Sequence, residues 1–133
     1  MALEKTLLIV DDEKNTRDGL RNALQDHYEV YAAADIAGAF AALETEPADV
    51  LITDLRLGGE DGMELMEKAQ KLPKPPICIM MTAYGSVDTA VEAMKRGAYD
   101  FVTKPVNIDR LELLIQRALR ERDTRRENVE LRQ

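Results

Sequence analysis

Five polar residues stand at the ends of short apolar runs and carry groups that can take part in chemistry. They are Asp11, Asp12, Asp54, Thr82 and Lys104. A carboxylate is a known covalent acceptor of phosphoryl groups, and carboxylate oxygens are ligands that Mg²⁺ prefers. A hydroxyl and an ammonium group nearby would supply hydrogen bonds and positive charge to a phosphoryl group. Whether these groups act together depends on the elements that position them.

The apolar runs have the pattern of strands in a parallel sheet. They cover residues 6–10, 50–54, 77–81 and 99–103, and a weaker strand is expected at 29–32. The longer runs lack an alternation of apolar and polar residues, which is typical of strands covered on both faces. We therefore expect a sheet with helices on both sides.

Helical segments are predicted between the strands. Ser86 is an N-cap candidate and Gly97 a stop signal for one of them. The predicted helices cover 15–25, 35–43, 63–69, 86–94 and a segment that begins at 107 or 108 and buries Leu111, Leu114, Ile115, Ala118 and Leu119. Five strands and five helices in strict alternation predict a doubly wound α/β fold with right-handed crossovers.

In such a sheet the carboxyl ends of the strands lie at one edge, where ligands bind. If the first and third strands are neighbours, Asp11 and Asp54 lie about 5 Å apart. Two ionised carboxylates at that distance repel by about 3 kcal/mol at an effective dielectric constant of about 20. A cation must offset this repulsion, or one carboxyl group must stay protonated. Mg²⁺ is the natural candidate.

Each of these residues also has an ordinary structural interpretation. Asp11 and Asp12 could form an acidic loop, and Asp54 could be a turn or cap residue. Thr82 could simply end a strand, and Lys104 with Pro105 could form a turn. Their common position at strand ends favours a shared site over five separate coincidences.

Composition limits the function classes. The 133 residues suit one domain, and the 45% hydrophobic and 32% charged content is that of a globular protein. A net charge of −7 argues against nucleic-acid binding by this segment. We expect no membrane span and no signal peptide. Cys78 lies in an apolar run and is expected to be a packed thiol in a reducing cytoplasm.

Four motifs together resemble the receiver domain of two-component response regulators, over roughly residues 6–119. The motifs are Leu8-Ile9-Val10-Asp11-Asp12-Glu13, Leu51-Ile52-Thr53-Asp54-Leu55-Arg56-Leu57, Met81-Thr82-Ala83 and Asp100-Phe101-Val102-Thr103-Lys104-Pro105. The resemblance implies a flavodoxin-like (βα)5 doubly wound parallel sheet of order 2-1-3-4-5.

The same resemblance implies a role for each site residue. Asp54 would accept a phosphoryl group from a histidine kinase. Mg²⁺ would be held by Asp11, Asp12, Asp54 and the backbone carbonyl of Arg56. Thr82 and Lys104 would hold the acyl phosphate. Phe101 stands at the position of the switch aromatic, and the Lys104–Pro105 peptide bond would be cis.

The sequence departs from the family in one loop and leaves other functions to weigh. Leu57-Gly58 stands where the family often has Met-Pro, and glycine removes the φ restraint of proline. An aspartyl-phosphate phosphatase would need a second acid where Arg56 stands. An interaction module that works without phosphorylation would not need the complete set of site residues. The glycine loop lacks the lysine of a P-loop, and the acidic cluster would repel a flavin phosphate.

The segment 120–133 contains good helix formers and no glycine or proline. It resembles the linker of regulators that carry an AAA+ ATPase and a helix-turn-helix domain. We therefore expect residues 1–119 to form a non-enzymatic receiver domain, with 120–133 starting a helical linker to an output domain that regulates transcription. The tail would contribute modestly to a phosphorylation-linked homodimer. The alternative is a solvated, frayed helix end, because its only large apolar residues are Val129 and Leu131.

Overall fold

A computed structural model of the chain describes residues 4–83 and 87–131, with side chains described as far as residue 126. The main sheet contains β1 (Thr6–Val10), β2 (Glu29–Ala33), β3 (Val50–Asp54), β6 (Ile77–Thr82) and β7 (Asp100–Thr103). All four strand pairs are parallel, and the spatial order is β2-β1-β3-β6-β7. This order confirms the predicted flavodoxin-like topology.

Five helices cover the two faces of the sheet. They are α1 (Lys14–Leu24), α2 (Ile36–Thr45), α3 (Gly62–Ala69), α4 (Val87–Lys95) and α5 (Ile108–Leu131). One apolar cluster joins α1 and α5 to Leu7 and Ile9 of β1. A second cluster joins α2, α3 and α4 to Leu8 and Val10. The period-2 alternation of side chains in β1 thus supplies both layers of the core.

The helices agree with the sequence pattern to within one or two residues at most ends. The five residues predicted for the buried side of α5 are all buried. The predicted cap at Ser86 lies outside the described residues, and α4 is described from Val87. Its stop signal is clear, because Gly97 adopts φ +120° just after the helix. No helix in residues 4–83 or 87–131 has both the length and the apolar content to cross a bilayer.

The prediction of strict alternation was wrong after β3. Two short strands, β4 (Arg56–Leu57) and β5 (Glu60–Asp61), form an antiparallel hairpin before α3. The turn residue Gly58 has φ +64°, a value that the proline ring cannot reach. Strands of two residues are too short to leave an apolar pattern in the sequence. Gly58, which lacks the φ restraint of proline, therefore supports a defined two-residue turn.

The hairpin is fastened at its end to the strand that carries Asp54. The amide of Gly62 donates to the carbonyl of Leu55 at 2.8 Å, and Asp61 caps α3 through the amide of Met63 at 2.9 Å. A Cβ atom at Gly62 would lie 2.0 Å from the carbonyl oxygen of Asp54. Only glycine lets the start of α3 approach the main chain of Asp54 this closely.

The last helix extends through residue 131, as the tail pattern predicted. Its continuation is held at the amino-terminal ends of the strands. Arg122 Nη1 donates to Asp49 Oδ1 at 3.0 Å, and Asp49 Oδ2 accepts the amide of Thr6 at 2.8 Å. The Nζ of Lys5 lies 3.6 Å from a carboxylate oxygen of Asp123. The body of the domain therefore grips α5 beyond Leu119.

We predict that Gly62→Ala lowers the free energy of unfolding by about 1–3 kcal/mol, because the added methyl group displaces the backbone of Asp54. Gly59→Ala is the matched control, since its Cβ atom would meet nothing within 4 Å. Urea unfolding of both variants checks this. Equal stabilities for the two variants would show that α3 can shift without cost.

Candidate functional site

The predicted site residues do meet at one edge of the main sheet. Asp11 follows β1, Asp54 closes β3, Thr82 closes β6 and Lys104 follows β7. β1 and β3 are hydrogen-bonded neighbours, with Val10 opposite Thr53. The parallel topology therefore delivers each polar group to the same end of the fold.

Three carboxylates form the centre of the cluster. One oxygen from each of Asp11, Asp12 and Asp54 lies within 4.8 Å of the other two. Asp11 is fully buried and Asp54 is 8% exposed, whereas Asp12 is exposed. Buried carboxylates at this separation require a cation or a proton to offset their repulsion.

Lys104 supplies that positive charge. Its Nζ donates to Asp11 Oδ2 at 2.7 Å and also to Asp54 Oδ2. Glu13 lies farther from the ammonium group, at 3.9 Å, and is largely exposed. Burial alone would lower the pKa of Lys104, but its hydrogen bonds and charge interactions with Asp11 and Asp54 outweigh burial and raise that pKa. Lys104 therefore stays protonated between the two buried carboxylates.

Asp11 is fixed through every polar atom it has. Its amide donates to the carbonyl of Ala33 at 3.1 Å, and its Oδ1 accepts the amide of Glu13 at 2.8 Å. Its Oδ2 receives Lys104, and its carbonyl accepts Arg17 Nη1 at 2.7 Å. Such a side chain is held in one orientation before any ligand arrives.

Asp54 faces a cavity of about 480 Å³. Its Oδ1 accepts the amide of Arg56 at 2.9 Å, which holds the carboxylate at the start of the hairpin. Arg56, Thr82 and Lys104 line the same cavity. The Thr82 hydroxyl is buried and donates to the carbonyl of Ala83 at 3.2 Å. A phosphoryl-sized group would find a carboxylate, a hydroxyl and an ammonium group around it.

Phe101 does not line this cavity. It is half-buried and packs against the core cluster under α2, α3 and α4. Strand pairing places Phe101 opposite Met80 and Thr103 opposite Thr82. Phe101 is therefore a diagonal neighbour of Thr82 on the same face of the sheet. The Lys104–Pro105 peptide bond is cis, as the resemblance implied.

The donor set fits a hard divalent cation. Three carboxylates converge, and the exposed Asp12 has oxygens available to a ligand. Mg²⁺ combines one or two carboxylates with water and phosphate oxygens, which matches a cluster that is open on one side. That Lys104 already bridges two of these carboxylates shows the demand for positive charge at this point.

Sequence reasoning missed three residues around the site: Glu13, Arg17 and Gly62. Glu13 extends the acidic run and lines the cavity. Arg17 lies one helical turn after Glu13, which is the spacing at which a side chain on α1 can reach back to the end of β1. Gly62 ends the glycine loop, but nothing in its local pattern reveals the close backbone contact with Asp54.

Comparison with known proteins identifies a family for this chain. The family model for the response regulator receiver domain matches residues 7–116. Response regulator protein PilR of Pseudomonas aeruginosa is 42% identical over 131 residues, which are 97% of this chain and 29% of PilR. The nitrogen assimilation regulatory protein NtrX of Azorhizobium caulinodans is 39% identical, over 96% of this chain and 29% of NtrX.

Solved structures give the same result. NtrX from Brucella abortus superimposes with a TM-score of 0.92 at 35% identity, covering 98% of this chain and 30% of that chain. A response regulator receiver domain protein from Clostridium thermocellum gives a TM-score of 0.83 at 27% identity, covering 90% and 98% of the two chains. The chain thus spans under a third of the length of PilR and of both NtrX proteins.

We predict that Lys104→Met lowers the free energy of unfolding by about 1–3 kcal/mol in Mg²⁺-free buffer, because two buried carboxylates lose their cation. This is less than for a fully buried pair, since the Lys104 side chain is 20% exposed. Millimolar Mg²⁺ should restore much of the loss. Urea unfolding with and without Mg²⁺ measures both effects, with Lys71→Met as the exposed control.

The stabilisation by Lys104 should also depend on pH. Its pKa in the folded state is raised above the ordinary value of 10.5, so the contribution is complete below pH 10 and is lost as pH rises through the raised pKa. If the difference in free energy of unfolding between the native chain and Lys104→Met changed with neither Mg²⁺ nor alkaline pH, that result would contradict the role of this ammonium group.

Proposed function

The chain belongs to the response regulator receiver domain family, whose members work by phosphorylation in two-component signalling, and from that premise we propose that Asp54 accepts a phosphoryl group from a histidine kinase. The observation that carries this assignment is the surroundings of Asp54. Its carboxylate faces the cavity, with two further carboxylates within 4.8 Å and the ammonium group of Lys104 in contact.

In the transfer, an oxygen of the Asp54 carboxylate forms a bond to phosphorus while the phosphorus–nitrogen bond of a phosphohistidine breaks. The electron pair of that bond stays on the imidazole nitrogen, which takes up a proton. Phosphoryl transfer needs mainly positioning and charge stabilisation from a protein. The amide of Arg56 orients Asp54, and Lys104 supplies positive charge at the same carboxylate.

Asp11, Asp12, Asp54 and the backbone carbonyl of Arg56 are the residues that would hold Mg²⁺. Bound there, Mg²⁺ would neutralise negative charge on the phosphoryl oxygens. Asp11 brings a carboxylate that the protein has already oriented, and Asp12 brings an exposed one. The hairpin places Arg56 on the wall of the cavity beside Asp54.

The phosphorylated state would differ from the free state at Thr82. A phosphoryl group adds about −1.5 to −2 units of charge and three strong hydrogen-bond acceptors. The Thr82 hydroxyl, which donates to the carbonyl of Ala83, can exchange that weak contact for a phosphoryl oxygen. Phe101, the diagonal neighbour, would then fill the space that Thr82 vacates. Two discrete positions of this pair make a switch.

The switch is regulatory rather than enzymatic, apart from assisting phosphorylation and dephosphorylation of Asp54 itself. We place it in the cytoplasm, upstream of an output domain that regulates transcription. Nearly all of this chain matches less than a third of PilR and of NtrX, which supports a longer native protein. The net charge of −7 argues against contact between this domain and nucleic acid, so we propose that the output domain makes any such contact.

Phosphorylation of Asp54 is tested with phosphoramidate and Mg²⁺, followed by borohydride trapping and mass spectrometry. We expect one phosphoryl group per chain on Asp54, lost in Asp54→Asn and after chelation. Asp61→Asn is the matched control, because Asp61 lies on the same hairpin but serves as the cap of α3. Label that survives Asp54→Asn would transfer the role to another carboxylate.

A homodimer linked to phosphorylation is the second part of the proposal. On α4 the side chains of Val87, Val91 and Met94 are 59%, 44% and 38% exposed, and the buried residues are only Ala90 and Ala93. The larger apolar side chains of α4 thus form a stripe on its outer face. Leu113 on α5 is also 62% exposed. A second copy of the chain would cover such a surface.

The tail would add to this pairing as the start of a linker from residue 120. Its first turn stays on the receiver through Arg122 and Asp123, so only the turns beyond Asp123 are available to a partner. Parallel pairing of the two extended α5 helices would then continue the interface along the tail. Because residues 120–126 are mostly charged, the tail adds only modestly to the stability of the dimer.

Sedimentation equilibrium with and without beryllofluoride tests the pairing. We expect beryllofluoride to favour the dimer, Val91→Glu to abolish it, and a chain ending at Asp123 to dimerise a few-fold more weakly. Ala41→Glu, on the exposed side of α2, is the control for added charge. Equal association by the whole and shortened chains would deny the tail a role, and native association by Val91→Glu would deny one to α4.

A further inference from the structure

Arg17 makes a contact with the acidic cluster that phosphoryl acceptance by Asp54 does not itself require. It lies at the end of the first turn of α1 and is half-buried. Its Nη1 donates to the carbonyl oxygen of Asp11 at 2.7 Å. The guanidinium group thus reaches back over the start of its own helix to the residue that follows β1.

This contact fixes the peptide group between Asp11 and Asp12. A peptide unit is planar, so a carbonyl oxygen that is held in place also fixes the direction in which the next residue leaves. The other three polar atoms of Asp11 are engaged by Ala33, Glu13 and Lys104. Arg17 holds the fourth and completes the restraint on this turn.

Asp12 depends on that restraint more than its neighbours do. Its side chain is exposed and makes no hydrogen bond to any residue in the described ranges. Asp54 is oriented by Arg56 and Lys104, and Asp11 by the contacts above. The backbone at Asp12 therefore sets where its Cβ atom lies, and with it which side-chain rotamers can bring the carboxylate to the other two.

We propose that Arg17 is a positioning residue for the divalent-cation site, acting through the Asp11–Asp12 peptide group to aim the Asp12 carboxylate. This inference rests on the proposed Mg²⁺ site but not on transfer of a phosphoryl group. Removing a group that orients a metal ligand typically weakens metal binding by about 10–100-fold.

Charge alone would give the opposite result, which makes the proposal sharp. A guanidinium group beside a cation site repels the cation. If Arg17 were only a neighbouring positive charge, its removal would tighten Mg²⁺ binding by about two- to five-fold in dilute salt. The two roles therefore predict opposite changes in Mg²⁺ affinity when Arg17 is replaced.

The test is a titration of the unphosphorylated chain with Mg²⁺, in which binding is measured by amide chemical shifts and by calorimetry. Arg17→Met removes the donor and the charge, Arg17→Gln keeps a donor without the charge, and Arg17→Lys keeps both. Arg21→Met, one turn farther along α1 and exposed, controls for loss of charge on this helix. Amide spectra and urea unfolding establish that each variant is folded under the titration conditions.

We expect Arg17→Met to raise the dissociation constant for Mg²⁺ by about ten-fold. Arg17→Gln and Arg17→Lys should recover part of the affinity, and Arg21→Met should bind at least as tightly as the native chain. Unchanged or tighter binding by Arg17→Met would overturn the positioning role while leaving the metal site intact. Absence of Mg²⁺ binding by the native chain would overturn the metal site and this inference together, whereas phosphorylation of Asp54 is decided by its own labelling experiment.

Discussion

The contact of Lys104 with Asp11 and Asp54 is the interaction on which the site depends. Two buried carboxylates lie side by side because β1 and β3 are neighbours in the sheet. Lys104 comes from the far edge, after β7, and crosses the end of β6 to reach them. One ammonium group thus makes the charge arrangement tolerable and ties three strand ends together. Without Lys104, or with a strand order that kept it away from Asp11 and Asp54, the buried carboxylates would lack a compensating charge.

Much of this arrangement could be predicted from the sequence because it follows from strand ends. Apolar runs without alternation indicated a parallel sheet, and a parallel sheet collects its carboxyl ends at one edge. That reasoning, with the family resemblance, gave the sheet order and the meeting of Asp11, Asp54 and Lys104, which the structure confirms. The chemical role of each residue stays a prediction, because proximity alone does not show reaction.

What the sequence did not reveal are contacts that need coordinates. The hairpin of β4 and β5 is too short to have a period, and Gly62 approaches Asp54 only because α3 begins where it does. Arg17 is one of several charged residues on α1, and only its distance to the Asp11 carbonyl separates it from the others. The grip on α5 by Asp49 depends on two residues 73 positions apart in the chain.

The carboxylate of Asp49 links the last helix of the domain to its first strand. One oxygen holds Arg122 on the outgoing helix, and the other holds the amide of Thr6 at the first residue of β1. β1 has five residues and is about 16 Å long, and Asp11 follows directly after its far end. One carboxylate therefore connects the outgoing helix to the strand that leads to Asp11.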